Sequence, residues 1–304
     1  MQKGDIINMQ SPWIIACRPK TLPAAVAPVM VGTALAIAAR SFHLGAALGA
    51  LLIAILIQIG TNMYNDVADF ERGTDTGERL GPQRVTQSGL LTPRQVRSGA
   101  FMAFGLATLC GLYLITIAGW PVIVIGAASI LAGLAYTAGP YPLAYNGFGD
   151  LFVLLFFGFV AVCGTAYIQI GVVPPAAWPA ALGVGSTITA LLVVNNVRDI
   201  ETDRAAGRRT IPVLYGRKVG VTEYGVLLGV AYAMPLIMIV SELGTWVILL
   251  PWLTIPFALR LYRTLVKIEG RALNRVLSST AKLVFIYGIL LTVGIILSSL
   301  YPTS

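Results

Sequence analysis

Long apolar runs separated by short polar segments make up most of the chain. Nine of these runs have roughly the 17–25 residues that a helix needs to cross a bilayer. The predicted spans are 21–39, 44–66, 96–118, 121–138, 148–170, 177–197, 219–240, 244–262 and 281–300. The alternating short strands of a membrane barrel are not evident. We therefore predict an all-α polytopic membrane protein in which residues 1–304 form one domain around a central cavity. Pro23 and Pro28 are expected to bend the first span, and Pro251 and Pro256 the eighth.

Composition and charge support this prediction and add an orientation. Only 11% of residues are charged and 57% are hydrophobic, whereas soluble domains are about a quarter charged. Twenty of the 21 Lys and Arg residues fall on the side of the N-terminus, and only Arg40 falls on the other. The positive-inside rule then predicts a cytoplasmic N-terminus and an outer C-terminus in the cell membrane. The first helix should be retained, because no cleavage site precedes it.

Other interpretations of the composition are less favoured. The net charge of +8 lies in loops that flank the spans, without a nucleic-acid-binding module, so nucleic acid is not an expected partner. The basic segment RLYRTLVKIEGRALNR, residues 260–275, is explained by topology and contact with anionic lipid. The three cysteines lack metal-type spacing and are interpreted as packing residues.

The acidic residues give a sharper signal. Twelve of the 13 map to the inner side or to span ends that face it, with Glu242 as the exception. Asn65 and Asp69 lie four residues apart after one apolar span, and Asn195 and Asp199 repeat this spacing after another. Residues four apart share a helix face. The pattern predicts two similar half-sites at the inner ends of two helices.

Carboxylates stacked at helix C-termini are unfavourable, because they repel one another and the helix dipole prefers cations there. A divalent cation relieves both penalties, and ligands that are all oxygen indicate Mg²⁺, or else Mn²⁺, rather than zinc. The candidate metal ligands are Asn65, Asp66, Asp69, Asp75, Asn196, Asp199 and Asp203. The alternative, two solvated loops with surface salt bridges, leaves the matched spacing unexplained.

Basic residues accompany both acidic sets. Guanidinium groups suit phosphate oxygens, and Mg²⁺ usually combines one or two carboxylates with phosphate oxygens. Two half-sites of this kind can hold a diphosphate between them. The candidate diphosphate-binding residues are Arg18, Lys20, Arg72, Arg84, Arg198, Arg208 and Arg209.

At these residues the chain resembles the UbiA superfamily of intramembrane aromatic prenyltransferases, over nearly its whole length. The two motifs of that superfamily are matched by Asn65-x-x-x-Asp69-x-x-x-Gly73-x-Asp75 and Asn195-Asn196-x-Arg198-Asp199-x-x-x-Asp203. Further segments resemble the branch that prenylates 1,4-dihydroxy-2-naphthoate in menaquinone or phylloquinone synthesis: RPKTL from Arg18, GPQRVTQSG from Gly81, GDLFVLLFFG from Gly149 and NNVRDIETDRAAGRRTIPVLYG from Asn195. Arg208-Arg209 departs from the pattern, in which one Lys is expected, but keeps the charge.

The resemblance implies a Mg²⁺-dependent transfer of a polyprenyl or phytyl group from its diphosphate to dihydroxynaphthoate, with loss of CO₂. The implied catalytic residues are Asp69, Asp199, Asp203 and Asp150, although Asp150 alternatively caps a helix. The aromatic residues expected to line the prenyl and acceptor cavity, where plain packing is the alternative, are Tyr136, Tyr141, Tyr145 and Phe156.

Three alternatives stay open at this point. The acceptor of a related enzyme can be 4-hydroxybenzoate, homogentisate, a chlorophyllide or haem. A secondary transporter for an anionic substrate also uses intramembrane charge and broken helices, but here the ionisable residues gather at one face. A lipid-binding structural subunit leaves the paired acids unexplained.

Overall fold

The computed structural model describes residues 11–74 and 80–300, and within these ranges the chain is helical without β-strands. Short 3-10 turns lie at Pro19–Thr21, Leu143–Tyr145 and Gly270–Ala272, a π-helical segment spans Leu154–Val160, and a 3-10 segment spans Trp246–Thr254. The α-helices are α1 (Pro12–Cys17), α2 (Pro23–Ala38), α3 (Leu44–Glu71), α4 (Pro93–Ala118), α5 (Pro121–Ala135), α6 (Gly149–Val153), α7 (Ala161–Ile170), α8 (Ala177–Arg198), α9 (Ile200–Ala205), α10 (Ile211–Tyr215), α11 (Arg217–Val240), α12 (Ile255–Lys267) and α13 (Leu273–Leu300).

Local signals in the sequence explain where several helices begin. Thr92 forms a reciprocal capping box with Gln95 at the start of α4, which satisfies backbone N–H groups that lack a partner in the first turn. His43, for which no role was predicted, caps α3 by accepting a hydrogen bond at Nδ1 from the backbone N of Ala46 at 3.1 Å. These caps fix the N-terminal ends of α3 and α4.

Within residues 11–74 and 80–300, six helical segments are long and apolar enough to cross a membrane, or seven if a bent pair counts as one span. The six are α3, α4, the α6–α7 segment Gly149–Ile170, α8, α11 and the C-terminal segment Gly270–Leu300. The predicted span 121–138 corresponds to α5, which has only 15 residues, and the predicted span 244–262 to the 3-10 segment followed by α12. The chain is therefore a multi-pass helical protein.

The predicted bends are found in part. The bent pair, Pro12–Thr21 and Pro23–Ala38, turns by 50°, and the break lies at Leu22, directly before Pro23 rather than at Pro28. In the eighth predicted span Pro251 lies in the 3-10 segment, and Pro256 lies in the first turn of α12. Pro251 thus lies in irregular backbone, whereas Pro256 takes a first-turn position in which a helix does not need an N–H donor.

Small residues allow α8 to lie at the centre of the helix bundle. A Cβ atom added at Gly185 would lie 2.8 Å from the Cα atom of Gly158 in the π-helical segment, so the two backbones pack in direct contact. Alanines along α8, including Ala180, Ala181 and Ala190, are fully buried. This central packing fixes where the C-terminal end of α8, which carries the second acidic motif, is held.

The cysteines agree with the packing interpretation. Cys17, Cys110 and Cys163 are free thiols, and Cys163 is buried in the core cluster around α8.

Candidate active site

One polar cavity of about 170 Å³ lies where the C-terminal ends of α3 and α8 meet the N-terminal end of α6. Both acidic motifs contribute to its lining, although they are far apart in the sequence. The oxygen-bearing side chains among the lining residues are Asn65, Asp69, Thr74, Tyr136, Thr137, Asp150, Asn195, Asn196, Asp199, Thr202, Asp203 and Thr210, and the cations are Arg18, Arg84, Arg198 and Arg208. The two predicted half-sites therefore line one cavity.

Asp69 is at the centre of the first half-site. Its side chain is only 1% exposed and is held by three donors. Arg84 Nη2 donates to Oδ2 at 2.7 Å, while Arg208 Nη2 and the hydroxyl of Tyr145 donate to Oδ1 at 2.7 and 2.8 Å. Two guanidinium groups and a phenol keep this carboxylate ionised and fix its orientation.

Arg208 links the two half-sites. Besides its bond to Asp69, its Nη1 atom lies 3.7 Å from Asp203 Oδ1, and its guanidinium lies 4.5 Å from the centre of the Tyr145 ring. The Nε atom of Arg208 is buried without a hydrogen-bond partner within the described ranges. An unused donor at the cavity wall is suited to an incoming anion.

Asp203 contributes the second half-site together with Asp199. Burial raises the pKa of Asp203 to about 7, even though the nearby Arg208 acts in the opposite direction. Asp199 instead forms a two-pronged ion pair with Arg198, the last residue of α8. In the second half-site, the charge of Asp199 is therefore balanced by Arg198, whereas the pKa of Asp203 places it close to the midpoint of its protonation at neutral pH.

Asp150 occupies a separate corner of the cavity. It lies in the first turn of α6, where a negative charge suits the helix N-terminus, while the N-cap position itself is Phe148. Asn196 Nδ2 donates to Asp150 Oδ1 at 3.2 Å, and Tyr136 lines the same cavity. The Asp150 carboxyl group is buried and is fixed by α8.

Asp66 lies outside this cavity. Its carboxylate, 1% exposed, accepts backbone N–H bonds from Val85 at 3.2 Å and from Thr86 at 3.3 Å. The residue before Val85, Arg84, donates from Nη1 to the backbone oxygen of Asn65 at 2.9 Å and also binds Asp69. Asp66 therefore holds the Arg84 loop against α3 and is not placed to bind a metal in the cavity.

The other predicted residues are divided between the cavity and the surface. Arg18, Arg84, Arg198 and Arg208 line the cavity. Lys20, Arg72 and Arg209 are exposed, and Arg72 donates to the backbone oxygen of Gly139 at 2.8 Å. Neither Tyr141 nor Phe156 lines this polar cavity. Tyr141 is 59% exposed, and Phe156 stacks on Phe152 with a centroid distance of 5.8 Å. Asp75 lies outside the described residues.

Two site residues were not identified from the sequence. Thr137 donates to Asn65 Oδ1 at 2.6 Å and so orients this amide. Asn274, at the start of α13, accepts a bond from Arg198 Nη1 at 2.8 Å and donates to the backbone oxygen of Leu80 at 2.8 Å. No motif signalled either residue, because each acts through a single side chain that is distant in the sequence: Thr137 lies in the turn after α5, and Asn274 lies at the start of α13.

The donor set suits a hard divalent cation. Within the part of the chain that the structure describes, no three His, Cys, Asp or Glu side chains form a preassembled metal cage. Mg²⁺ does not need one, since it usually takes one or two carboxylates and completes its shell with water and phosphate oxygens. Carboxylates and amides surround the cavity without sulfur or imidazole, so the residues present fit Mg²⁺.

Comparison with known proteins agrees with the geometry. Residues 25–289 match the UbiA prenyltransferase family. The 1,4-dihydroxy-2-naphthoate octaprenyltransferase of Escherichia coli is 34% identical over 303 residues, covering 96% of this chain and 97% of that protein. The enzyme of the same name from Mycobacterium tuberculosis is 38% identical over 253 residues, covering 82% and 84%.

Solved structures share the fold. A UbiA homologue from Archaeoglobus fulgidus, whose structure was determined bound to DMAPP and Mg²⁺, superposes with a TM-score of 0.67 at 17% identity, covering 93% of this chain and all of that one. The family assignment favours the transferase over the transporter and the structural subunit. The chain is thus a multi-pass membrane transferase that belongs to the UbiA prenyltransferase family.

Proposed function

We propose that this prenyltransferase transfers a polyprenyl or phytyl group from its diphosphate to 1,4-dihydroxy-2-naphthoate, with Mg²⁺ as its cofactor. The observation that carries the proposal is the single cavity in which Asp69 and Asp203, from the two motifs, contact the same Arg208. The names of the bacterial relatives support the naphthoate acceptor. The bound DMAPP and Mg²⁺ in the Archaeoglobus homologue support the donor and the metal.

The diphosphate is assigned to the polar cavity between the two acidic motifs. Mg²⁺, or Mn²⁺ as a substitute, would when bound supply positive charge that favours departure of the diphosphate. We assign Asn65, Asp69, Asn196, Asp199 and Asp203 as ligands, and Asp75 as a further candidate. Asp66 is reassigned from the metal to the Arg84 loop.

The basic residues stabilise the same charge. Arg18, Arg84, Arg198 and Arg208 line the cavity and donate to the diphosphate as negative charge develops on it. Lys20, Arg72 and Arg209 are exposed and are proposed to attract the charged head of the donor from the inner aqueous side.

The acceptor is proposed to lie at the Asp150 corner. A hydrogen bond from a naphthol hydroxyl to Asp150 raises the electron density of the ring. The ring carbon that bears the ionised carboxylate then forms a C–C bond to the allylic cation. The bond from that carbon to the carboxylate breaks, its electron pair returns to the ring and CO₂ leaves, so that no proton is gained or lost. Tyr136 and Tyr145 present aromatic surface near the cation, and Tyr141 and Phe156 remain candidates for contacts with the prenyl chain outside the polar cavity.

The proposed arrangement in the cell membrane is one domain of nine spans with a cytoplasmic N-terminus. The charge bias supports this orientation. Two of the nine are assigned to shorter elements, α5 and the 3-10 segment that leads into the start of α12, and the cationic end of α12 then lies at the inner interface. The cavity then faces the cytoplasm, where a charged donor head and a soluble acceptor are available, while the prenyl tail stays in lipid.

An acceptor comparison tests the proposal. Purified protein in detergent receives geranylgeranyl diphosphate and Mg²⁺ with either dihydroxynaphthoate or 4-hydroxybenzoate, and both diphosphate and CO₂ are measured. We expect prenylated product and stoichiometric CO₂ with dihydroxynaphthoate alone. Turnover with 4-hydroxybenzoate, or with homogentisate in a third arm, would assign a different acceptor, and no product in any arm would contradict the proposal.

A further inference from the structure

Helix α12 has three chemically distinct faces. Ala258, Leu261 and Leu265 are buried in the core cluster that also includes α8 and α11. Arg260, Arg263 and Lys267, at spacings of three and four residues, share a second, exposed face. Leu259 and Val266, which are 49% and 45% exposed, form a strip at the border of the cationic face. A helix with these faces is typical of a membrane interface.

The three cations of α12 lack acidic partners within the described ranges. The only acid between residues 255 and 275 is Glu269, and its carboxylate pairs with Arg217. Arg217 also donates to the carbonyl oxygens of Leu265 and Ile268 at the end of α12. The acid and the terminal carbonyl groups of α12 are therefore already used, and the positive charge of the three side chains is left uncompensated.

These three cations lie side by side on one exposed face of α12. Together with Pro256 and Thr264 they border a shallow, open surface groove. It is separate from the acidic cavity, with which it shares no lining residue. The positive-inside rule requires cations on this side of the membrane, but it does not require them to cluster on one face of a single helix.

From this placement we propose that the cationic face of α12 binds the headgroup of an anionic phospholipid. Arg260 and Arg263 present planar donors to phosphate oxygens, and Lys267 adds a third charge. The strip of Leu259 and Val266 lies against the acyl chains. Because apolar surface borders the cations, the chemistry fits a lipid better than free phosphate.

Binding of defined lipids to the full chain tests this proposal. Detergent-solubilised protein is mixed with phosphatidylglycerol or phosphatidylcholine, and bound lipid is counted by native mass spectrometry, with thermal unfolding as a second readout. The test variant carries Arg260→Gln, Arg263→Gln and Lys267→Gln. The matched control carries Arg94→Gln, Lys218→Gln and Lys282→Gln, which remove the same charge from exposed positions on other helices.

We expect wild type and control to prefer phosphatidylglycerol, and the test variant to lose affinity by roughly 100-fold, since each cation near an anionic surface contributes about a fivefold factor. Prenyl transfer in neutral lipid should be unchanged in the test variant, which shows that it is folded. If both triple variants lost the same affinity for phosphatidylglycerol, the effect would be one of net charge alone, and this would overturn the proposal. Equal binding of the two lipids would also overturn it, as would stabilisation by inorganic phosphate alone to the same extent.

Discussion

Replacement of Asn274 tests whether the two halves of the site are held together from α13. This side chain forms hydrogen bonds to both Arg198 and Leu80. Arg198 pairs with Asp199 of the second motif, and Leu80 lies at the edge of the loop that follows the first motif. Both bonds are 2.8 Å long. We expect Asn274→Leu, which has a similar volume but no hydrogen-bonding groups, to disconnect both.

The magnitude follows from the two bonds. A hydrogen bond to a charged guanidinium contributes about 1.5–3 kcal/mol, and a neutral one about 0.5–1.5 kcal/mol. Asn274 is only half-buried, so water replaces part of the lost hydrogen-bond energy in the variant. We therefore expect the binding of the prenyl donor to weaken by about 2 kcal/mol, which is equivalent to a roughly 30-fold rise in the KM for prenyl diphosphate. Asn274→Asp keeps the acceptor for Arg198 and loses only the donor to Leu80, so we expect a rise of about fivefold.

The assay is steady-state prenyl transfer with varied donor, together with the melting temperature of each variant. Arg275→Ala, an exposed change on the same turn of α13, serves as the control and should leave KM unchanged. A purely structural role would lower the melting temperature without changing KM. An unchanged KM in Asn274→Leu would refute the reasoning, and so would a larger effect for Asn274→Asp than for Asn274→Leu.

Three further predictions concern the acidic residues. Asp69→Asn leaves two partly or fully buried guanidinium groups without their shared carboxylate, at a cost of about 3–5 kcal/mol; we expect loss of turnover and a lower melting temperature, and near-normal turnover would contradict the assigned role. Asp66→Asn should weaken the attachment of the Arg84 loop to α3 by about 1–2 kcal/mol. It should leave the Mg²⁺ affinity of the protein, measured by calorimetry, nearly unchanged, whereas replacement of a metal ligand would lower that affinity strongly. Since the pKa of Asp203 is about 7, protons compete with the metal below that pH. The Mg²⁺ affinity should therefore fall up to about tenfold per pH unit below 7 and level off above it; a flat profile between about pH 6 and 8 would exclude Asp203 as a ligand.

The sequence predicted the helical class and the acidic site because these depend on regular patterns. Apolar runs of spanning length indicate helices in a membrane, and the repeated Asn-to-Asp spacing singles out Asp69 and Asp199, which both line the cavity. Asp66 shows the limit of such patterns. It lies one residue from a cavity-lining Asn65, and a step of about 100° around the helix turns its carboxylate toward the loop at Val85.

The short elements were harder to predict from composition. Residues 244–262 are as apolar as a spanning helix, but Pro251 lacks the N–H that a continuous α-helix needs, and the segment Trp246–Thr254 forms 3-10 turns. The sequence predicted Tyr145 only as an aromatic residue of the cavity lining, whereas in the structure its hydroxyl donates a hydrogen bond to Asp69. Contacts of this kind depend on the positions of two segments 76 residues apart, which local spacing does not encode.

The central claim is that both acidic motifs serve one Mg²⁺–diphosphate site. The most direct measurement is Mg²⁺-dependent binding of a non-hydrolysable prenyl thiodiphosphate to wild type, Asp69→Ala, Asp203→Ala and the double variant. Residues that act on one bound group couple non-additively. We predict that each single variant loses Mg²⁺-dependent binding and that the double variant is no worse than either. Additive losses, near-normal binding in either single variant, or binding by wild type that persists in EDTA would contradict the account.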